Sequence, residues 1–248
     1  MKLKNLSLVA ILGALLFTSA CQQDMNSTPE ADLSTELDSV SYALGYQNGN
    51  FLSREGITNL NMNNFSAGMS DGLSEEEGLL TQDQMMAVTN SYIQGIAERE
   101  GAENAEEGRA FLEENKDKEG VMVTDSGLQY KVLEEGDGAS PTAEDEVRVH
   151  YTGQLIDGTV FDTSVKEIAE ENELYNPQRE PYEGAQFPLN RVIPGWTEGV
   201  QLMQEGAKYE FYIPSELAYG SRGSDGSPIG PNATLIFEVE LLEVNPSE

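Results

Sequence analysis

Near Gly120 the hydrophobic period of this chain changes from that of a helix to that of a strand, and few folds accommodate such a change. Upstream, Leu37, Val40, Leu44 and Phe51 fall near one face at helical spacing, and Phe65, Met69 and Leu73 form a second short stripe. Thr81 and Gln84 make a capping box ahead of a third segment that places Met85, Thr89, Tyr92 and Ile96 on one face. With Phe111 and Leu112 this segment extends to near Asn115, and roughly 35 residues at 1.5 Å each give a rod of about 50 Å. Downstream the period is two. Leu128, Tyr130 and Val132 alternate loosely with their neighbours, while Val147, Val149 and Tyr151 alternate clearly with Arg148, His150 and Thr152. Asp157-Gly158 is a hairpin signal ahead of Val160. Tyr209, Phe211 and Ile213 form another alternating set, as do Leu235, Phe237, Val239 and Leu241, and one short helix fits over 196–203. Strands with a single short helix predict an antiparallel sheet with one covered face. The class is therefore α+β, preceded by an all-α segment.

Three thin helical stripes bury little by themselves, so the helical part needs a partner. The Gly45/Gly49 and Gly68/Gly72 spacings permit close helix approach, and the Met and aromatic stripe reads as core or dimer interface rather than a cofactor site. The formal charge of −30 excludes recognition of nucleic acid or an anionic membrane through a basic patch. It suits contact with basic or neutral unfolded chains; the plainer reading is a solvating surface. At the N-terminus, Lys2 and Lys4 precede an apolar run over 6–17 that is too short to span a bilayer, as in a signal peptide. Thr18-Ser19-Ala20 then precede Cys21, the one cysteine, which leaves no intramolecular disulfide available within this sequence. This stretch resembles a bacterial lipobox, with Thr18 where that motif usually has Leu. The resemblance implies lipidation at Cys21, and Gln22 in place of Asp implies the outer membrane. A soluble periplasmic product is the alternative. Residues 22–31 are polar, contain Pro29 and read as a tether.

Five segments carry a further resemblance: Val149-His150-Tyr151-Thr152-Gly153, Asp157-Gly158-Thr159-Val160-Phe161-Asp162, Val192-Ile193-Pro194-Gly195-Trp196, Leu217-Ala218-Tyr219-Gly220 and Pro231-Asn232-Ala233-Thr234-Leu235-Ile236-Phe237. In this order they resemble the FKBP-type peptidyl-prolyl isomerase domain over 127–244. Upstream, Ser41-Tyr42-Ala43-Leu44-Gly45-Tyr46 and Gly108-Arg109-Ala110-Phe111-Leu112 look like the dimerisation arm of members of the macrophage-infectivity-potentiator (Mip) type. With the signal peptide read over 1–20 and the tether over 21–32, the resemblance implies a helical dimerisation domain with a long linker helix over 33–118 and an isomerase domain over 119–248. It also implies an FKBP-like half-barrel sheet wrapped on the short helix, with a pocket between them. Matched position by position, Trp196 is the floor under a proline ring, and Tyr151, Phe161, Phe187 and Phe237 are apolar walls. Val192 and Ile229 add to the lining. The Ile193 N–H and the Tyr219 hydroxyl are placed to hold substrate carbonyls, and Asp162 supplies a polar group near the twisting amide. Where the family has a short bulged strand, residues 165–184 are longer and acidic. Arg179 and Arg191 are both candidate partners for Asp162.

The chemistry suits these residue types. Amide resonance resists rotation with a barrier of about 18–20 kcal/mol, and X–Pro bonds exchange in tens of seconds or more. No covalent bond breaks, so no nucleophile, metal or other cofactor is required. A dry pocket weakens the polar resonance form, and donors aimed at the twisted amide favour the transition state. Aromatic walls grip a proline ring while reading little other sequence. His150 alternates away from Tyr151, which gives it a place on the second face rather than in catalysis. Asn232-Ala233-Thr234 matches a glycosylation sequon that bacterial export makes irrelevant. The expected partners are proline-containing unfolded or exported polypeptides, a second copy of the chain, and macrolide-type inhibitors by family resemblance. The membrane is met through the lipid anchor only, and nucleic acid is not a partner. The alternatives are a binding chaperone whose helical arms hold clients, and a structural lipoprotein whose pocket no longer turns over.

Overall fold

The computed structural model describes residues 31–74 and 77–245. The expected signal peptide, Cys21 and nearly all of the 21–32 tether lie outside the described residues. The chain divides after Leu52 into two compact units. The first holds most of helix α1 (Glu36–Arg54), none of whose residues is buried. Its apolar stripe, Leu37, Val40, Leu44 and Phe51, is exposed.

The second unit begins with α2 (Met62–Leu73), whose first turn is capped by Asn61: the side chain accepts hydrogen bonds from the Asn63 and Asn64 N–H groups. Helix α3 (Gln82–Asn115) runs for 34 residues, or about 51 Å. Its capping box is complete: the Thr81 N–H donates to Gln84 Oε1 at 2.9 Å and the Gln84 N–H to Thr81 Oγ1 at 3.3 Å. Glycines at 95, 101 and 108 do not break the helix, and two of them, Gly101 and Gly108, are buried.

The sheet follows. Strands β1 (Val121–Val123), β2 (Gln129–Glu134), β3 (Glu146–Leu155), β4 (Val160–Thr163), β5 (Ala185–Pro188), β6 (Lys208–Ile213) and β7 (Leu235–Asn245) pair antiparallel in the order β1-β2-β6-β7-β3-β4, with β5 also on β3. Between them lie two short helices, α4 (Lys166–Glu171) and α5 (Pro194–Val200). The Asp157-Gly158 turn closes where expected, with the Gly158 N–H donating to the Leu155 carbonyl and Gly158 at φ 89°. Cross-strand partners Tyr209↔Val239 and Phe211↔Phe237 bring inward-facing side chains together. Val147, Val149, Tyr209, Phe211, Ile213, Leu235, Phe237, Val239 and Leu241 form the sheet's share of the core; Trp196, Val200 and Met203 form the share of α5 and the turn after it. Each fully buried side chain of this size stabilises the fold by about 1.5–3 kcal/mol.

Three elements differ from the sequence reading. Helix α5 starts at Pro194, where a missing N–H costs nothing in a first helical turn, and it ends at Val200, with Met203 in the following turn. Helix α4 falls inside the acidic stretch, where no helix was expected. The sheet is also covered on part of its second face. Tyr212 and its cross-strand partner Ile236 point outward yet are only 7 % exposed. The Phe111 ring of α3 packs on Tyr212 with centroids 6.0 Å apart. Asn115 Nδ2 donates to Gln129 Oε1 at 3.0 Å, and Gln129 Nε2 donates to the Leu112 carbonyl at 2.8 Å. The buried positions of this part of α3 are Gly108 and Asn115, residue types that carry no apolar signal.

Phe211 is fully buried. Phe211→Ala is expected to lower the unfolding free energy by about 3–5 kcal/mol in urea denaturation, whereas Met122→Ala on the exposed edge strand changes it by under about 0.5 kcal/mol.

Candidate active site

A cleft of about 810 Å³ opens between α5 and the inner face of the sheet. Its floor is set by local structure at the start of α5. The Ile193 carbonyl accepts from the N–H groups of Trp196 and Thr197 at 3.0 and 3.1 Å, closing the first turn and aiming the Trp196 indole at the sheet. With the carbonyl so occupied, the group that Ile193 has left to offer the cleft is its N–H. Three rings stand edge-on to the indole: Phe237 at 5.1 Å, Tyr151 at 5.4 Å and Phe187 at 5.5 Å between centroids. Phe161 in turn meets Phe237 at 5.5 Å and 82°. Both rings lie over Gly153, where a Cβ would come within 2.6 Å of each. Only glycine lets β3 pass beneath them.

The polar end of the cleft is built on Asp162, which β4 presents opposite Gly153. Its Oδ2 accepts the Tyr151 hydroxyl at 2.5 Å. Its Oδ1 accepts Arg179 Nη1 at 2.7 Å and the Thr163 N–H at 3.0 Å. Arg179 Nη1 also donates to the Thr163 carbonyl at 2.9 Å. The carboxylate is therefore oriented from three directions. Both partners of the ion pair are partly exposed, at 39 % and 44 % of the side chain, so after solvent screening the pair contributes about 0–1 kcal/mol of stability. Its effect is directional. The hydrogen bond to Asp162 raises the Arg179 pKa further above its already high value. Burial pushes the Tyr151 hydroxyl well above the usual tyrosine range, reinforced by its hydrogen bond to Asp162 and that residue's charge. Burial followed by the Asp162 charge raises Tyr219 as well. Both hydroxyls therefore stay protonated, as donors, beyond the pH at which an ordinary tyrosine ionises (about 10).

All ten residues matched in the sequence, Tyr151, Phe161, Asp162, Phe187, Val192, Ile193, Trp196, Tyr219, Ile229 and Phe237, line this one cleft. Ala185, Ser224 and Ser227, which no sequence feature singled out, line it too. Of the two candidate arginines, Arg179 holds Asp162, while Arg191 lines the cleft and forms no ion pair among the described residues. Arg179 arrives from the acidic stretch, which is folded. Residues 177–179 form a single 3₁₀ turn begun by the Asn176 side chain. Tyr182, 9 % exposed, accepts the Asn176 N–H at its hydroxyl and stacks on Tyr175 at 5.9 Å. Lys166 and Tyr175 both bond Glu180, at 2.6 and 3.0 Å. His150 faces away from the cleft, as alternation predicts. Its Nδ1 lies 3.2 Å from Ser164 Oγ, which also accepts the Tyr151 N–H.

An aromatic floor beneath a fixed carboxylate and two protonated phenols has the shape and polarity to hold an apolar ring with an amide among polar groups, without any nucleophile aimed at it. That is the chemistry of a rotamase. The family model described as FKBP-type peptidyl-prolyl cis-trans isomerase matches residues 138–242, and the one described as the domain amino terminal to it matches 37–132. The chain is 40 % identical over 251 residues to the outer membrane protein MIP of Legionella longbeachae, covering 98 % of each. It is 46 % identical over 212 residues to the FKBP-type 22 kDa peptidyl-prolyl cis-trans isomerase of Escherichia coli K12, covering 83 % of this chain and 94 % of that one. The crystal structure of FkpA from Escherichia coli superposes with a TM-score of 0.59 at 32 % identity, covering 88 % of this chain and all of that one. The chain belongs to the FKBP-type peptidyl-prolyl cis-trans isomerases. Within them it is of the Mip and FkpA kind, a helical N-terminal part followed by the isomerase domain, and its substrates are proline-containing polypeptides.

Arg179→Ala is expected to lower kcat/KM on a proline tetrapeptide by about two- to fivefold, or ~0.4–1 kcal/mol of barrier, with little change in Tm. Arg179→Lys, which keeps the charge without the planar fork, should recover only part of it. A protease-coupled assay measures both.

Proposed function

We infer that the cleft performs the isomerisation with the residues that line it in named roles. The proline ring of the substrate sits on Trp196, walled by Tyr151, Phe161, Phe187 and Phe237, with Val192 and Ile229 closing the sides. The Ile193 N–H and the Tyr219 hydroxyl hold the flanking carbonyls, and Asp162 faces the amide as it twists. Leaving water weakens the charge-separated resonance form of the amide, and the fixed dipoles gain most when the bond is halfway round. What carries this reading is the Trp196 indole with three ring edges about it and the oriented Asp162 carboxylate at the same cleft. Ordinary Coulomb and dispersion terms suffice, since each ~1.4 kcal/mol removed from the barrier is tenfold in rate.

The protein acts in the bacterial cell envelope, exported by residues 1–20 and held by a lipid on Cys21. The relative from Legionella longbeachae, whose name places it at the outer membrane, supports an outer-membrane site, and the lipobox-like sequence supports the anchor. Residues 33–118 serve as the dimerisation part and 119–248 as the isomerase domain. Leu37, Val40, Leu44 and Phe51 on α1, and Met85, Val88 and Tyr92 on α3, leave apolar side chains exposed on both helices, and a second copy of the chain is the partner that buries them. Two clefts on one dimer raise the effective concentration at a long unfolded client and give the enzyme its use as a folding helper. The isomerase family does not favour a purely holding chaperone.

In a protease-coupled assay Asp162→Ala and Phe161→Ala are each expected to lose at least roughly tenfold in kcat/KM, ~1.4 kcal/mol of barrier, while keeping the far-UV circular dichroism of wild type. Wild-type rates in both variants would remove the role assignment. Light scattering of a soluble form lacking residues 1–21 is expected to give twice the chain mass, and Leu44→Glu on α1 to give the mass of one chain. A single-chain mass before substitution would end the dimer reading.

A further inference from the structure

Helix α3 meets the sheet and the segment leading into β7 along a stripe of Gly101, Asn104, Gly108, Phe111 and Asn115, spaced alternately three and four apart and so on one face. Within α3 the buried residues are Gly101, Gly108 and Asn115. At its upper end the contact is a reciprocal pair of hydrogen bonds. Asn104 Nδ2 donates to the Pro231 carbonyl at 2.9 Å, and Asn232 Nδ2 donates to the Gly101 carbonyl at 3.0 Å. The approach is flush. A Cβ on Gly101 would stand 3.0 Å from Pro231 Cβ and 3.2 Å from Asn232 Nδ2, and one on Gly108 would overlap Thr234 Oγ1.

Asn232 has a second connection. Its backbone sits at φ 55°, a region that asparagine tolerates better than most residues, and its N–H donates to the Gly220 carbonyl at 2.8 Å. Gly220 follows Tyr219, and the loop that Asn232 closes carries Ile229; both line the cleft. One residue thus joins the α3 backbone on one side to the base of the loop bearing Tyr219 and Ile229 on the other. We propose that Asn232, bonded to the Gly101 carbonyl of α3 while Asn104 holds the preceding Pro231 carbonyl, is a positioning residue for isomerisation: the helix clamps the 220–232 loop so that Tyr219 and Ile229 face the substrate. The proposal rests on the isomerase reading of the cleft and adds to it a residue outside the lining. It also gives the Asn232-Ala233-Thr234 segment a purpose other than a sequon.

The test uses the whole chain without residues 1–21. Asn104→Ala removes the helix-side donor. Asn232→Gly keeps the positive φ and removes the loop-side donor. Asn115→Ala is the control, since it breaks the same stripe where α3 meets β2, away from the loop. With circular dichroism confirming folding at the assay temperature, Asn104→Ala and Asn232→Gly are each expected to lower kcat/KM on a proline tetrapeptide threefold or more. The double variant should be little worse than either, because both bonds belong to one clamp. Asn115→Ala should lower Tm and leave kcat/KM within threefold. Smaller losses in Asn104→Ala and Asn232→Gly, or an equal loss in Asn115→Ala, would overturn the proposal. If Asn232→Gly does not fold, Asn104→Ala decides. If the wild type itself turns over no substrate, the isomerase reading fails instead. Acrylamide quenching of Trp196, the one tryptophan, then decides the clamp: quenching increased in Asn104→Ala but not in Asn115→Ala supports it, and no difference removes it.

Discussion

How closely α5 approaches the sheet decides where the Trp196 indole lies, and the cleft is arranged around that ring. Two glycines of the helix set the distance. A Cβ on Gly195 would fall 2.5 Å from Ile213 Cγ2, and one on Gly199 2.7 Å from the Phe211 ring. With either side chain present the helix would have to lift, taking the indole away from Phe187, Tyr151 and Phe237. The close-packed core and the floor of the cleft are therefore the same contact, and a loss of packing at Phe211 reaches the cleft without any residue of its lining being changed.

Around this floor the site divides into two kinds of surface. The rings supply area and shape. The rim supplies direction. Asp162 is partly open to water, so its bonds to Tyr151, Arg179 and the Thr163 N–H contribute little net stability, yet they leave the carboxylate one orientation. Burial of Tyr151 and Tyr219 keeps the two phenols protonated beside it. The acidic stretch belongs to this rim as well. Stacked tyrosines and the Lys166–Glu180 pair fold it, and the folded stretch delivers Arg179.

Strands β6 and β7 serve both faces of the sheet. Because side chains alternate, Phe211 and Phe237 point into the core and cleft, while Tyr212 and Ile236 point out to be covered. Helix α3 packs against that outer face at Tyr212. A helix that would otherwise be a solvated rod is thereby fixed to β6, which pairs with β7, and the inner face of β7 carries Phe237 of the cleft wall.

Much of this was legible in the residues themselves. The Thr81–Gln84 capping box, the Asp157-Gly158 turn and the alternation in β3, β6 and β7 are local signals. Each depends on neighbours within a few positions, so the sequence alone determined the three N-terminal helices, strands β2, β3, β6 and β7, and the inward set that includes Phe237. What it left open depends on chain closure over distance. Arg179 and Arg191 were equivalent candidates for Asp162. The choice fell to Arg179 because Tyr182 is buried and bonded to Asn176, which fixes the path of a segment that no period describes. Helix α4 and the α3 stripe were hidden for a related reason: charged, glycine and asparagine positions carry no apolar pattern, and their fit exists only once another element is laid against them. The tertiary structure alone decided which cation orients the carboxylate and which helix backs the loop, because both are contacts between surfaces rather than properties of a segment.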